Sequence, residues 1–235
     1  MSRRRKLLIL LTIICLVLSV RELLHTNEGT SKITGSVGGG TIENAWLLPW
    51  SGDNFRYYSP VSYFLLDRGY VHDKVYASVV GAYKQLETVT PGQKYRIMEA
   101  ARKSGGRMWP HRTHQVGMSV DFMVPKKKNG QQHRWLDRLG AWHYALSFDK
   151  SGNWSDNVSI DFETMAKHIL ALDDAARKNG LMIQKVILKI NLKDDFFATE
   201  SGRKVKSRGI YFARSLPKTV DDLHDDHYHV DFAFR

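Results

Sequence analysis

The stretch from His227 to Phe234 constrains the fold more than any other part of the chain, because polar and apolar residues alternate along it. In an extended strand, residues i and i+2 share a face. One face therefore carries His227, His229 and Asp231, whereas the residues between them are apolar or aromatic. Such a strand needs a sheet with a core on one side and a polar site on the other. Two like-facing histidines are typical of a metal ligand and its neighbour.

A second group of metal-binding residue types lies about a hundred residues earlier, between Pro110 and Asp121. His114 and Asp121 are too far apart for one helical turn, but the spacing suits a histidine just before a strand and a carboxylate on it. The apolar residues alternate around Asp121, which places it opposite the core face. With His229, these residues supply two nitrogens and one carboxylate oxygen. Three such ligands and one open position form the arrangement of a catalytic zinc site.

The other histidines of the two clusters are predicted to have different roles. His227 would lie beside the metal without binding it, as a general base or as a stabiliser of a developing oxyanion. His224 and His111 are candidates for holding or replacing His227. Three aspartates could accept hydrogen bonds from imidazole N–H groups, namely Asp225, Asp226 and Asp231. Iron(II) in a two-histidine, one-carboxylate site and histidines with a purely structural role remain as alternatives.

The N-terminus is predicted to be a targeting segment. A run from Leu7 to Val20 is mostly apolar and follows four basic residues, which is the pattern of an export signal. As a helix it would extend about 21 Å, which is short of the roughly 30 Å hydrocarbon core of a bilayer. Residues 1–25 are therefore interpreted as a signal peptide or a short membrane anchor, with membrane association through residues 7–20. Its Cys15 is the chain's one cysteine, so neither an intramolecular disulfide nor a cysteine-type zinc site is expected.

The remainder of the chain is predicted to be exported, with a Gly/Ser-rich linker at 26–45 and one domain at 46–235. The whole chain has a formal net charge of +11, and the part from residue 22 onward keeps a basic surplus that suits an anionic partner such as a cell-wall polymer or a membrane surface. The export segment argues against nucleic acid as that partner. The length of 235 residues allows one full-sized core.

Periodicity predicts the main elements of this domain. Residues 72–87 and 161–179 have the apolar spacing of helices, and His168 in the second is expected at the surface or the edge of the core. Further segments are predicted as follows: strands at 94–100 and 183–190, a charged turn at 126–130, and a polar loop at 191–207. Between them lies a long aromatic segment, including Tyr144, that could line a substrate groove or pack onto the core.

The two motif windows, Ser104–Asp121 and Asp222–Val230, resemble the penicillin-insensitive murein endopeptidases. That family belongs with the lysostaphin-type peptidases, the D-Ala-D-Ala carboxypeptidases and the hedgehog domain, and the resemblance covers roughly residues 33 to 235. It implies a hedgehog/D-Ala-D-Ala-peptidase-like α+β fold with a small central antiparallel sheet flanked by helices and long loops. By motif position, the zinc ligands are matched by His114, Asp121 and His229. The other active-site histidines are matched by His227, His111 and His224.

The resemblance implies a periplasmic enzyme with one zinc ion per chain that cleaves D-Ala–meso-diaminopimelyl cross-links in peptidoglycan. The chain departs from the family in lacking disulfides, which affects how its loops are held. Two alternatives remain open. One is a carboxypeptidase that trims terminal D-Ala from stem peptides, in which Arg107 would bind the free carboxylate. The same Arg107 would hold a stem-peptide carboxylate in an endopeptidase. The other alternative is a zinc-containing cell-wall binding module without hydrolytic activity.

Overall fold

The computed structural model describes residues 2–235, except for the side chains of residues 17–19 and 21 in the N-terminal segment; Met1 lies outside the described residues. The secondary structure is mixed α+β, with 38% helix and 25% strand. The helices are α1 (Arg3–Leu23), α2 (Asp73–Val89), α3 (Phe162–Lys178), α4 (Lys193–Ala198), α5 (Glu200–Ser207) and α6 (Lys218–Asp222). The strands are β1 (Lys32–Ser36), β2 (Gly39–Glu43), β3 (Trp46–Leu47), β4 (Phe55–Tyr57), β5 (Tyr70–Val71), β6 (Tyr95–Ile97), β7 (Ser119–Met123), β8 (Lys126–Lys128), β9 (Gln131–Gln132), β10 (Asn153–Ser155), β11 (Val158–Ile160), β12 (Leu181–Ile187) and β13 (His227–Phe234).

The central sheet has five strands in the order β12-β13-β7-β6-β4. Its pairs are antiparallel except for β4 and β6, which run parallel, so the prediction of an antiparallel sheet is correct for three of the four pairs. In the register of β13 and β7, His229 lies opposite Asp121 and Asp231 lies opposite Ser119. Directly opposed residues share a face of the sheet. The alternation in the last strand and that around Asp121 therefore build one polar face.

The two predicted helices are confirmed as α2 and α3, which pack against each other. The Asp161 side chain caps α3 by accepting a hydrogen bond from the backbone N–H of Thr164, and Gly180 follows the helix in the left-handed conformation. Their buried faces join the apolar residues of β7 and β13 in one hydrophobic core. This core supports the sheet from one side and leaves the face that bears Asp121 and His229 for the site.

Residues 26–45, predicted as a linker, contain the hairpin of β1 and β2. Gly35 has a φ of +90°, and a side chain there would place its Cβ 2.2 Å from the carbonyl oxygen of Gly39. The hairpin is attached through backbone groups: the N–H of Gly106 donates to the carbonyl of Gly40, and the N–H of Gln115 donates to that of Val37. Glycine-rich sequence therefore forms ordered structure here, because these backbone bonds and the burial of Ile42 in the core hold the hairpin in place. The hairpin braces the loop that carries His111 and His114.

Two further predictions of local structure are wrong. The polar segment at 191–207 contains α4 and α5 rather than a loop, because Phe196 and Val205 are buried and anchor the two short helices. Residues 126–128 form β8, and only Asn129 and Gly130 have the positive φ of a turn. Lys126 is buried, although a lysine in a charged run is ordinarily solvated.

Within residues 2–235, no helix combines the length and apolar character needed to cross a membrane. The predicted targeting segment is helical as α1, and its apolar side chains between Leu7 and Leu16 are exposed.

His168 lies in the core rather than at the surface or core edge. Its ring packs against Phe122 and Tyr83, and its Nδ1 is 2.6 Å from the hydroxyl of Tyr228. Burial raises the pKa of Tyr228 well above its ordinary value, so the phenol stays protonated and donates a hydrogen bond to Nδ1 of His168. Burial lowers the pKa of His168 from 6.5 to about 3. The imidazole is therefore neutral in the folded protein.

We expect the free energy of unfolding of the metal-free protein to decrease as the pH is lowered, because of His168. The unfolded chain binds a proton at this residue below pH 6.5, whereas the folded chain does so only near pH 3, so stability is lost as the pH falls between these values. Between about pH 7.5 and about pH 5.5 the loss from this group is about 1.4 kcal/mol. Chemical denaturation of wild type and His168→Leu at both pH values measures it. An unchanged pH dependence in the variant would contradict the assignment.

Candidate metal centre

The polar face of the central sheet and the loop before β7 bring the two sequence clusters together. Asp121 is on β7, His229 is opposite it on β13, and His111 and His114 lie in the loop. His114 has a φ of +68°, which is a left-handed conformation uncommon for a residue with a side chain. Gly117 lies at the end of the loop, where only glycine fits, because a Cβ there would lie 2.7 Å from the backbone nitrogen of His72.

His114 is fully buried, and neither of its ring nitrogens has a hydrogen-bond partner in the described part of the chain. Nε2 lies 3.3 Å from Oδ1 of Asp121, outside hydrogen-bond geometry. Among the described residues, Oδ2 of Asp121 also has no hydrogen-bond partner. Buried polar atoms are nearly always satisfied, so these vacant lone pairs mark a place where a cation would compensate for the lost solvation.

Three residues of this loop and strand meet as a group that could hold a metal ion. One ligand atom from each of His111, His114 and Asp121 lies within 4.8 Å of the others. His229 adjoins the group, since its Nδ1 is 2.8 Å from Oδ1 of Asp121 and its ring centre is 4.7 Å from that of His114. The three predicted ligands His114, Asp121 and His229 are therefore neighbours, and His111 is a fourth candidate that the motif analysis placed among the catalytic histidines.

His229 is held between two carboxylates. Its Nε2 is 2.6 Å from Oδ1 of Asp231, which also accepts a hydrogen bond from the hydroxyl of Ser119, and Lys185 pairs with the other oxygen of Asp231 at 2.8 Å. Burial opposes the charged imidazole, but Asp231 and Asp121 raise the pKa of His229 to about 10. A proton therefore lies between Nδ1 and Asp121, at the point where a metal ion would satisfy the same two atoms. Asp231 is placed to orient the ring, as outer carboxylates do for metal-binding histidines.

His111 is held by Glu99, a residue that the motif analysis did not single out. Nε2 of His111 is 2.5 Å from Oε2 of Glu99, and Nδ1 is 3.6 Å from Oδ2 of Asp121. Glu99 also accepts hydrogen bonds from Tyr58, Ser62 and Arg68. Burial opposes ionisation of Glu99, but His111 and Arg68 lower its pKa to about 2. The carboxylate is thus ionised and fixes which nitrogen of His111 faces Asp121. Nothing in its local sequence distinguishes Glu99, because its partners come from residues 58–68 and from the loop at His111.

His227 and His224 form the other side of the site. The rings of His224 and His227 are 4.7 Å apart, and Nδ1 of His227 is 2.6 Å from Oδ1 of Asp226. Burial opposes protonation of His227, but Asp226 raises its pKa above the ordinary value. Burial and the neighbouring His227 lower the pKa of His224 to about 3. The neutral His224 donates from Nδ1 to the carbonyl of Val220.

Arg107 and the aromatic segment differ in their distance from the surface. Arg107 is exposed, just before the short bridge between Met108 and His111. In the aromatic segment, Tyr144 packs edge-on against His227 at 5.3 Å, so this part of the segment lines the site, whereas Trp142 is 78% exposed. Five residues at or near the site lie outside both sequence motifs, namely Glu99, Arg68, Tyr58, Lys126 and His143.

The fold and site define an α+β protein with a buried His-His-Asp group that could hold a metal ion. No protein-family model and no curated protein matches the chain.

Proposed function

We propose that the chain is an exported zinc endopeptidase that cleaves D-Ala–meso-diaminopimelyl cross-links in peptidoglycan, on a hedgehog/D-Ala-D-Ala-peptidase-like fold. The observation that carries the proposal is His114, which is buried beside Asp121 and His229 and whose two ring nitrogens have no hydrogen-bond partner among the described residues. Beside them lies His227, which has a carboxylate partner of its own. This separation of metal-binding residues from a proton-carrying histidine distinguishes a hydrolytic site from a structural one.

The donor set supports zinc. Imidazole nitrogen and carboxylate oxygen are both common zinc ligands, and the chain has no cysteine near the site. We assign His114, Asp121 and His229 as ligands. His229 is favoured over His111 because its Nδ1 is 2.8 Å from Asp121, whereas Nδ1 of His111 is 3.6 Å from Asp121, and because His229 is buried and His111 is partly exposed. Iron(II) accepts the same donors, and metal analysis of the purified protein separates the two.

When bound, a zinc ion lowers the pKa of a coordinated water to roughly 7 and polarises a carbonyl group. The chain's own residues supply the proton handling and orientation. Asp226 accepts a hydrogen bond from Nδ1–H of His227. Nε2 of His227 is therefore the nitrogen available to exchange a proton with the reacting groups. His224 packs against that ring, and its low pKa keeps it uncharged beside His227. Tyr144 covers the ring from another side and limits access of bulk water.

The substrate and location follow from charge and the N-terminal segment. The net charge of +11 favours an anionic polymer, and the exposed Arg107 lies where it can meet a stem-peptide carboxylate. We place the enzyme in the periplasm, exported by residues 1–25 or held by them at the inner membrane.

The test is digestion of purified cross-linked sacculi by the full chain with one equivalent of zinc. We expect dimeric muropeptides to decrease and monomers to increase. When the metal is removed by a chelator, the muropeptides should stay undigested. Pentapeptide stems that lose one alanine while cross-links stay intact would instead identify a carboxypeptidase. Undiminished dimers in the presence of bound zinc would contradict the enzyme and favour a binding module.

A further inference from the structure

A buried lysine lies at the end of a chain of polar contacts that reaches His227. The side chain of Lys126 is fully buried, and its Nζ is 2.9 Å from both the carbonyl of Val124 and Oδ1 of Asp137. Nζ is also 3.0 Å from Nε2 of His143. Burying an ammonium group is costly unless it is paired. Asp137 compensates the charge, and the question is what the contact with His143 achieves.

The lysine fixes where His143 carries its proton. An ammonium group has donors and no acceptor, so Nε2 of His143 must accept from Lys126. The proton of the neutral ring is then on Nδ1. That nitrogen is 2.9 Å from Oδ2 of Asp226, to which it donates. His143 is fully buried, so water does not compete for either nitrogen.

Asp226 passes the same constraint to His227. Its Oδ2 is occupied by His143, and its Oδ1 is 2.6 Å from Nδ1 of His227. Asp226 is itself 2% exposed, so both oxygens are restricted to these partners within the described residues. An ionised carboxylate only accepts hydrogen bonds, and His227 must therefore carry a proton on Nδ1. Nε2 is then the ring nitrogen that Asp226 does not hold.

We propose that Lys126 and His143 are positioning residues that act through Asp226 to hold the proton of His227 on Nδ1 and to fix the orientation of its ring. This inference rests on the proposed function in that it gives His227 the role of proton carrier. The contacts join β8 and the segment at residues 140–145 to β13, so three parts of the chain far apart in sequence converge on one tautomer. Outer hydrogen-bond partners of this kind set the tautomer and direction of functional imidazoles.

The first test observes the tautomers directly and does not require activity. The full chain is labelled with ring-¹⁵N histidine, and one- and two-bond ¹⁵N–¹H correlations are recorded with one equivalent of zinc and after chelation. Signals are assigned with His143→Phe and His227→Ala. We expect His143 in the Nδ1–H form and His227 with a proton on Nδ1. A neutral histidine side chain in water prefers the Nε2–H form, so that form at His143 would overturn the proposal.

The second test asks whether His143 acts on His227. His143→Phe keeps the ring volume and removes both hydrogen bonds, whereas His143→Asn keeps an N–H group that can face Asp226. We expect the His227 ¹⁵N shifts to move toward a mixture of tautomers in His143→Phe and to stay close to wild type in His143→Asn. Unchanged His227 shifts in a folded His143→Phe protein would refute the positioning role.

Kinetics then separate positioning from simple structural support. If wild type hydrolyses cross-links, we expect His143→Phe and Lys126→Met to lower kcat about 10- to 100-fold with KM within about twofold, and His143→Asn to restore most of the rate. Lys128→Met, on the same strand but exposed, is the matched control and keeps wild-type kcat. Equal losses in Phe and Asn variants would contradict the proposal. A wild type without hydrolysis would sink the proposed function, and the tautomer measurements would still decide the inference.

Discussion

Replacing Asp121 with asparagine is expected to lower zinc affinity about 100-fold or more, which exceeds the effect of losing an outer hydrogen-bond partner. Its Oδ1 is 3.3 Å from Nε2 of His114 and 2.8 Å from Nδ1 of His229, and its Oδ2 is 3.6 Å from Nδ1 of His111. The variant keeps the shape of the side chain but loses the negative charge shared by all three imidazoles. A cation then has no compensating charge between them.

Competition with a chromogenic chelator measures the affinity of the purified full chain, and circular dichroism checks that the variant is folded. Asp156→Asn removes an exposed carboxylate in the turn between β10 and β11 and serves as the control, with wild-type affinity expected. An Asp121→Asn protein that holds one equivalent of zinc as tightly as wild type would overturn the site. The same titration on His229→Ala and His111→Ala identifies the third ligand, and we expect the greater loss in His229→Ala.

Replacing His227 with alanine is expected to leave zinc bound and to lower the rate of cross-link cleavage about 10²- to 10⁴-fold, the range for loss of a general acid–base group. His227 has its hydrogen bond to Asp226 rather than to Asp121, so its removal leaves the buried His-His-Asp group intact. The effect should fall on kcat, because the ring is assigned to proton transfer and not to substrate binding.

Zinc content and sacculus digestion are measured on the same preparation of His227→Ala. His133→Ala, a partly exposed histidine after β9, is the matched control and should retain both metal and rate. Loss of zinc from the His227→Ala protein would show that His227 is a metal ligand and would contradict its assigned role. A metal-loaded variant with the wild-type rate would remove His227 from the mechanism.

Local pattern predicted the elements whose residues obey one period. The last strand begins and ends where its alternation does, at His227 and Phe234, and α3 is confirmed within one residue of each predicted end. A strand or helix with one buried face must repeat that face in sequence, so the pattern is visible without tertiary knowledge. Where backbone bonds or isolated anchors hold the chain, as in the β1–β2 hairpin and at Phe196, no such period exists and the predictions were wrong.

For the site, the residue types and spacing in the sequence were enough to place His114, Asp121 and His229 in one predicted group, because strand alternation fixes which side chains share a face. The side chains that support these predicted ligands and the neighbouring His227 could be identified only from the fold. Glu99 contacts His111, Lys126 contacts His143, and His143 contacts Asp226, across 12, 17 and 83 residues of sequence respectively. Burial then sets the behaviour of these groups, since a low dielectric makes each charge depend on the partner that folding brings to it.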